Sequence, residues 1–277
     1  MIRVGRCIYD KQGKREDPYY AGFQTIVVLT RGTNRWGAIG PYELKDAQGR
    51  IMENIWQFSK VYPRVGAVQQ RKSRYEDIMV WEHPDETHLI DAEKPATPDN
   101  LTAEYHAWRT KGFQAPYAVR YPPGFGNMAN CVGALIETKD GSLEGPLDYI
   151  AARKRLYLPL YTRLVKRHPL FAELRRLHQQ GKNILIAEVD GPHEESLPYY
   201  REKYGVGARF IKERTVLATQ KNLSLLLNDA LHPFGHGYCL AAAIAGLDLL
   251  KEPIREKDVP RLGDDELEAA LQAYLEE

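Results

Sequence analysis

The sequence is poor in the features that identify several large classes of protein. It has only three cysteines, Cys7, Cys131 and Cys239, which are odd in number and far apart. This pattern argues against a disulfide framework and against a thiolate metal site, so we expect buried thiols. No segment approaches the roughly 18 unbroken apolar residues of a membrane span, and the charged N-terminus lacks the apolar centre of a signal peptide. We therefore expect a cytoplasmic protein with no membrane partner.

Neither sign of charge is in excess. The formal net charge is +1, with 27% charged residues, so there is no global attraction to polyanions. A phosphate or nucleic-acid partner would have to meet a local basic patch. With 43% hydrophobic residues in 277, the composition is that of a globular protein with a full core.

Several catalytic motifs are also missing. The stretch "GVGARF" does not follow a predicted strand and lacks the third glycine or the lysine of a nucleotide-binding loop. In "HPFGHG", Pro233 and Gly235 separate His232 from His236, which disfavours a helical zinc pair. The stretch "EHPDETH" is typical of a solvated loop. No nucleophile elbow or paired base indicates Ser or Cys catalysis. We predict neither a metal nor a cofactor.

The patterns that are present predict a single α+β or α/β domain over residues 1–277, with a small central sheet wrapped by helices. The polar, proline-rich residues 64–145 are interpreted as an elaborated insertion, and residues 200–222 as a second addition. Strands are predicted at 23–32, 132–138 and 183–189. Helices are predicted at 102–113 and 264–277. Between them, one helix is predicted from 147, with a perturbation at Pro159, and a second helix follows a break at His168 and Pro169 and runs to 180.

The stretch "IMENIWQFSKVYP", residues 51–63, carries an unusual polar stripe. Wound as a helix, it lines up Glu53, Gln57 and Lys60, with apolar side chains on the opposite side. The turn chemistry just before it puts Glu53 in the first turns, where the helix dipole favours an anion. The stripe is either a solvated helix face or half of an active site.

A second acid lies at the end of the strand pattern "ILIAEVDGP". Alternation puts Glu188 and Asp190 on one face, just before a Gly-Pro turn. Carboxylates at strand ends are exposed to ligands in α/β folds, although two solvated acids before a turn would look the same.

The helices before that strand hold a local excess of positive charge: Arg153, Lys154, Arg155, Arg163, Lys166, Arg167, Arg175, Arg176 and Lys182. Such a surface suits phosphates or a nucleic-acid backbone, with Arg163, Lys166 and Arg167 as the candidate contacts. Solvated helix faces explain the excess equally well.

The stretch "ENIWQFSKVY" resembles the helix of the NADAR superfamily (YbiA-like N-glycosidases), with Glu53, Trp56, Gln57 and Lys60 in the pattern. Three further stretches resemble the family in the same order: "ARKRLYLPLYTRLVKRHPLFAELRRL", "LIAEVDGP" and "FGHGYCLAAAIAG". The chain departs from the pattern at Gly191 and Pro192, where the family has Trp-Gly, and in its two additions.

The resemblance implies a metal-independent N-glycoside hydrolase that acts on an ADP-ribosyl or ribosylated base, including ADP-ribosylated nucleic acid. Such chemistry needs a carboxylate beside the cationic sugar, a base for water and aromatic walls. Glu53 and Asp190 would be catalytic. The substrate-binding candidates are Trp36, Asn54, Trp56, Gln57, Lys60, Glu188 and His236. A nucleotide or nucleic-acid ADP-ribosyl or base transferase, or a non-catalytic ADP-ribose or nucleic-acid binding module, remains an alternative.

Overall fold

The computed structural model describes residues 1–29, 34–69, 71–72, 79–120 and 130–251. The helix predicted at 264–277 lies outside them. The described chain has a mixed α+β architecture with several small sheets, which confirms the α+β class. None of its described helices is long and apolar enough to cross a membrane.

The largest sheet has four strands in the order β14-β1-β13-β4. The strands in the described part of the chain are β1 Ile2–Arg6, β2 Ile8–Tyr9, β3 Arg15–Glu16, β4 Gln24–Val27, β5 Lys60–Val61, β6 Arg64–Val65, β7 Arg71–Lys72, β8 Met79–Val80, β9 Glu86–Thr87, β10 Val119–Arg120, β11 Gly133–Glu137, β12 Leu143–Leu147, β13 Ile184–Glu188 and β14 Thr215–Leu217. Strand β13 is buried along its whole length, as expected for a central strand with parallel neighbours on both sides.

The parallel register of this sheet brings three strand ends to one edge. Arg6 of β1 pairs with Glu188 of β13, and Ala187 pairs with Val27 of β4. Strand β14 runs antiparallel to β1 and falls within the predicted second addition. The carboxyl edge of β1, β13 and β4 is therefore the place where a strand-end acid meets other elements.

The α-helices among the described residues are α1 Met52–Gln57, α2 Ala103–Phe113, α3 Tyr149–Ala152, α4 Leu158–Val165, α5 Pro169–Gln179, α6 Leu197–Tyr204, α7 Gln220–Leu227 and α8 His236–Ala245. A π-helical segment, Arg153–Tyr157, joins α3 to α4 just before Pro159, where the sequence predicts a perturbation. His168 caps α5 by accepting the Leu170 N–H at 3.2 Å, so the predicted break at His168 is confirmed.

One cluster of buried apolar side chains runs through both the sheet and the region predicted as an insertion. In that region, Thr102 is the N-cap of α2, and its side chain accepts the Tyr105 N–H at 3.1 Å. Phe58, just after α1, packs between the rings of Trp81 and Trp108 at 5.0 and 4.6 Å. Gly112 lies against Phe58, since a Cβ there would stand 2.1 Å from its ring. The end of the α1 helix is thus packed against residues 79–120.

Two predicted boundaries are wrong. The helix at 51–63 ends at Gln57, and Lys60 lies in β5 rather than on the helix. Strand β13 ends at Glu188, so Asp190 belongs to the following turn and does not share a strand face with it. In both places a neighbouring element takes over the backbone hydrogen bonds, because Leu135 donates its N–H to the Ser59 carbonyl and Cys7 donates to the Glu188 carbonyl.

The predictions of solvent exposure also need correction. His83 and His88 of the supposed solvated loop are buried, and His88 packs against Tyr105 and Trp108. Arg153, assigned to a basic surface, is 1% exposed. Cys7 and Cys239 are buried, as predicted, and Cys131 is half-buried; all three are free thiols.

Candidate functional site

The first arm of the candidate site is the short helix α1. Gln57 donates from Nε2 to Glu53 Oε1 at 2.6 Å, and Lys60 Nζ donates to Gln57 Oε1 at 2.9 Å. Glu53 lies in the first turn of α1, where the helix dipole stabilises its negative charge. Although Lys60 comes from β5, its side chain still completes the polar row. The three groups form one connected line of acid, amide and cation.

An aromatic pair stands beside this line. The ring of Trp56 lies 5.0 Å from that of Tyr157, centroid to centroid, and Lys60 Nζ is 5.1 Å from the Trp56 centroid. Trp56 is partly exposed while Tyr157 is buried. A flat, partly open aromatic surface next to a cation is suited to stacking a planar, electron-rich ring.

The second arm is the strand end at Glu188, which is 2% exposed. Its Oε1 accepts the N–H groups of Val189 and Asp190 at 2.8 and 3.3 Å. Its Oε2 accepts the Gly237 N–H at 2.6 Å and lies 3.0 Å from His236 Nδ1. The carboxylate is therefore surrounded by protein donors.

Charge pairing fixes the ionisation of Glu188 and His236. Burial opposes the charge of Glu188, but the charge and hydrogen bond of His236 and the backbone amides outweigh burial and lower its pKa. Burial likewise opposes the charge of His236, but the Glu188 charge and a 3.0 Å contact between His236 Nε2 and the Val28 carbonyl raise its pKa to about 9. Near neutral pH, both nitrogens of His236 donate.

Glycines allow these elements to approach. A Cβ on Gly235 would stand 2.7 Å from Glu188 Cδ and 3.0 Å from Asp190 Cβ, and one on Gly237 would stand 3.0 Å from Glu188 Cβ. A Cβ on Gly191 would stand 2.7 Å from Arg6 Cα. Gly191, where the chain departs from the family pattern, is therefore required by close packing of the turn on β1.

Asp190 behaves unlike its neighbour. The residue is exposed to solvent, yet desolvation by the surrounding protein is the largest cause that raises its pKa to about 6, and the charge of Glu188 is the second. A carboxyl with a pKa of about 6 can hold or release a proton near neutral pH.

The structure brings the two arms together. The charge of Glu53 also raises the pKa of Asp190, so the two carboxyl groups lie within electrostatic range although they are far apart in sequence. Glu53, Glu188 and Asp190 all act on the hydroxyl of Tyr157, whose pKa is raised by burial and then by surrounding charge. Tyr157 therefore lies within electrostatic range of both the α1 arm and the strand-end arm.

Two basic residues near Asp190 are absent from the sequence predictions of the site. Arg6 and Arg153 act on its carboxyl electrostatically, and Arg6 Nη1 contacts His193 Nδ1. The signal for Arg6 is its place at the carboxyl end of β1, parallel to β13, which only strand pairing reveals. Arg153 looks like one of many surface cations in the sequence.

Two predicted substrate-binding residues have other contacts. Asn54 is fully buried: its Nδ2 donates to the carbonyls of Tyr117 and Ala115 at 2.9 and 3.4 Å, and its Oδ1 accepts the Val119 N–H at 2.8 Å. Trp36 is buried in the core. We therefore leave both out of the candidate site.

The candidate nucleic-acid contacts Arg163, Lys166 and Arg167 are exposed at the end of α4 and just beyond it. They lie 6 to 10 residues past Tyr157, or about 10 to 15 Å along a helix axis. A polymer bound at the aromatic pair could reach them.

Compared with known protein families, curated proteins and solved structures, the chain matches none. Among the described residues, no group of three or more His, Cys, Asp or Glu side chains could hold a metal ion. The fold and site define a mixed α+β protein with two carboxylates near one aromatic surface.

Proposed function

We propose that the protein is an N-glycoside hydrolase that acts on an ADP-ribosyl or ribosylated base. The observation that carries the proposal is the placement of Glu53 within electrostatic range of Asp190, whose pKa is raised to about 6. Glycoside cleavage requires two carboxyl groups near one sugar, and a carboxyl with a pKa of about 6 can exchange a proton near neutral pH. The resemblance of "ENIWQFSKVY" to the NADAR helix supports the same chemistry.

The first role belongs to Glu53. The ionised carboxylate stabilises the positive charge that develops on the sugar as the glycosidic bond breaks. Gln57 and Lys60 hold Glu53 in place through their row of hydrogen bonds and offer a donor and a cation to sugar hydroxyls or a phosphate. Trp56 stacks on the leaving base.

The second role belongs to Asp190. In its ionised form the carboxylate accepts a proton from the attacking water, whose oxygen bonds to the anomeric carbon, and in its protonated form it returns that proton to the departing base. Glu188 takes no part in proton transfer, because its charge is held by His236 and three backbone amides. Its contribution is to raise the pKa of Asp190.

A substrate screen tests the proposal. The purified protein is incubated separately with ADP-ribosylated DNA, free ADP-ribose, NAD and ribosylated pyrimidine phosphates, and release of a free base or sugar is measured by mass spectrometry. Hydrolysis of at least one N-glycosidic bond is expected. Transfer of the sugar to another acceptor would identify a transferase, and salt-dependent binding without any product would identify a binding module; either result would overturn the proposal.

The variant Glu53→Gln tests the carboxylate itself. We expect turnover to fall by roughly 100-fold or more with little change in substrate binding, because the amide keeps the shape but not the charge. The free energy of unfolding should change by about 1 kcal/mol, since the amide oxygen can still accept from Gln57 and the charge beside the helix N-terminus is lost. Glu104→Gln is the matched control, because Glu104 is exposed in the first turn of α2. Wild-type turnover in Glu53→Gln would remove Glu53 from the mechanism.

A further inference from the structure

A second group of polar side chains has the geometry of a nucleophile and its base. Ser196 Oγ lies 2.9 Å from His232 Nε2, and His232 Nδ1 lies 2.6 Å from Asp229 Oδ2. The three residues come from the turn before α6 and from the loop between α7 and α8. They are not adjacent in sequence, which is why no motif indicates them.

The hydroxyl of Ser196 does not cap the helix that follows it. Ser196 stands at the N-cap of α6, where a serine side chain normally accepts an N–H from the first turn, yet it makes no such cap hydrogen bond. Its Oγ meets His232 instead. The positive end of the α6 dipole is thus left beside an oxygen that is bonded to an imidazole.

Asp229 is held as an anion. Its carboxylate is fully buried and accepts the hydroxyls of Tyr199 and Tyr200 at 2.6 and 2.9 Å in addition to His232. Burial opposes its charge, but the hydrogen bonds from Tyr199, His232 and Tyr200 outweigh burial and lower its pKa. An ionised Asp229 accepts from Nδ1–H of His232, so neutral His232 presents a lone pair at Nε2 to the Ser196 hydroxyl.

The loop that carries His232 is held in place by a buried arginine. The buried guanidinium of Arg153 donates to the carbonyl of Asp229 at 2.6 Å and to the carbonyl of His232. Ser196 and the His232 ring remain partly exposed. A rigid base with an accessible hydroxyl is the arrangement that activates a serine.

We propose that Ser196, His232 and Asp229 form a second catalytic site that hydrolyses carboxylic esters. Ser196 and His232 are the catalytic residues, and Asp229 positions His232. The site shares no catalytic residue with the proposed glycosidase, because neither Glu53 nor Asp190 takes part.

The reaction balances within this set of groups and water. Ser196 Oγ bonds to the ester carbonyl carbon while its proton passes to His232 Nε2, and His232 then returns that proton to the alcohol as the carbon–oxygen bond breaks. Water next attacks the acyl-serine, gives a proton to His232 and releases the carboxylic acid, and His232 reprotonates Ser196 Oγ. The positive N-terminal end of the α6 dipole stabilises the negative charge that develops on the carbonyl oxygen.

The experiment uses a fluorophosphonate probe, which reacts with activated serines. The full chain and four variants are treated with the probe, and the labelled peptide is identified by mass spectrometry. Ser196→Ala and His232→Gln are the test variants, and Ser142→Ala and His106→Gln are controls at exposed positions. Circular dichroism and thermal unfolding establish that each variant is folded. We expect an adduct on Ser196 in the wild type and both controls, none in Ser196→Ala, and at least 10-fold slower labelling in His232→Gln.

Hydrolysis of p-nitrophenyl acetate should fall at least 10-fold in both test variants and stay unchanged in the controls. The wild-type peptide map keeps the proposal testable even if His232→Gln does not fold, because Ser196 should be the labelled serine. No adduct on Ser196 would overturn the proposal. Equal labelling in a folded His232→Gln would also overturn the proposal. The hydrogen bonds of Ser196, His232 and Asp229 would then only connect α6 to the loop between α7 and α8.

Discussion

Glu188 and Asp190 are two residues apart at the same sheet edge, yet their surroundings shift their pKa values in opposite directions. Glu188 accepts hydrogen bonds from His236 and three backbone amides, so its pKa is lowered despite burial. Asp190 is desolvated by the protein and repelled by the charge of Glu188, so its pKa rises to about 6. Both oxygens of Glu188 accept hydrogen bonds from protein donors, whereas Asp190 is exposed to solvent.

The difference shows how a protein separates structure from chemistry. A carboxylate with all its hydrogen bonds satisfied by the protein holds elements together and has little capacity left for a ligand. Its retained charge then acts on the next acid, which becomes the reactive one. The contrast depends on the α8 N-terminus, which supplies both His236 and the Gly237 N–H.

Removing the charge of Glu188 should have the largest effect on stability. Glu188→Gln removes the counter-ion of the buried His236, and we expect a loss of about 3 to 5 kcal/mol in the free energy of unfolding. Urea denaturation measures this loss, with Glu202→Gln as a control at an exposed position on α6. A loss below about 1 kcal/mol would show that the pair is not a structural anchor.

The pH dependence sharpens the same test. His236 has a pKa raised from 6.5 to about 9 in the folded protein, so its stabilising contribution is complete below pH 6.5 and is lost as the pH rises through 9. Wild type should lose stability between pH 7 and pH 9, and Glu188→Gln should lose much less. Parallel curves for the two proteins would contradict the assignment.

Filling the space at Gly235 should disturb both acids by a smaller amount. A Cβ there must displace Glu188 or Asp190, so Gly235→Ala should cost about 1 to 3 kcal/mol. Gly66→Ala is the matched control, because no atom lies within 4 Å of its added Cβ. Thermal unfolding compares the two, and equal stabilities would show that α8 can shift without strain.

Replacing Asp190 should stabilise the protein. The folded-state pKa of about 6 lies above the ordinary value of 3.8, so the native state binds the extra proton and wild type loses stability as the pH rises from about 4 to 6. Asp190→Asn escapes that loss and should gain roughly 1 kcal/mol at pH 7 after allowance for screening by solvent. The two proteins should converge below pH 4. A variant that is less stable than wild type at pH 7 would reverse the comparison.

The exposed cations Arg163, Lys166 and Arg167 differ from both acids, because solvent screens most of their interactions with other charges. Replacing Arg163, Lys166 and Arg167 by Ala should leave stability nearly unchanged. If nucleic acid is the substrate, the slope of log affinity against log salt should flatten by about 0.9 for each lost phosphate contact with duplex DNA. The control replaces Arg175, Arg176 and Lys182, which are equally exposed. Equal slopes for the two triple variants would remove the first set from the nucleic-acid interface.

Local patterns predicted many elements because their causes are local. Thr102 caps α2, Pro159 follows an irregular helical segment, and the apolar run at 184–188 forms a buried strand. The stripe of Glu53, Gln57 and Lys60 also holds as a connected row of side chains. Its shape could not be predicted, since the pairing of Lys60 with Ala134 ends the helix early.

The sequence by itself determined which residues can carry charge, where the chain can bend and which runs must be buried. Tertiary structure alone decided what each charged group does, because a pKa depends on neighbours that come from distant parts of the chain. Asn54 and Glu53 are adjacent on α1, yet one binds the 115–119 backbone and the other acts on Asp190. Ser196 and His232 meet only because α6 and the loop before α8 pack together. Such proximity is set by packing of whole elements, which no short stretch of sequence encodes.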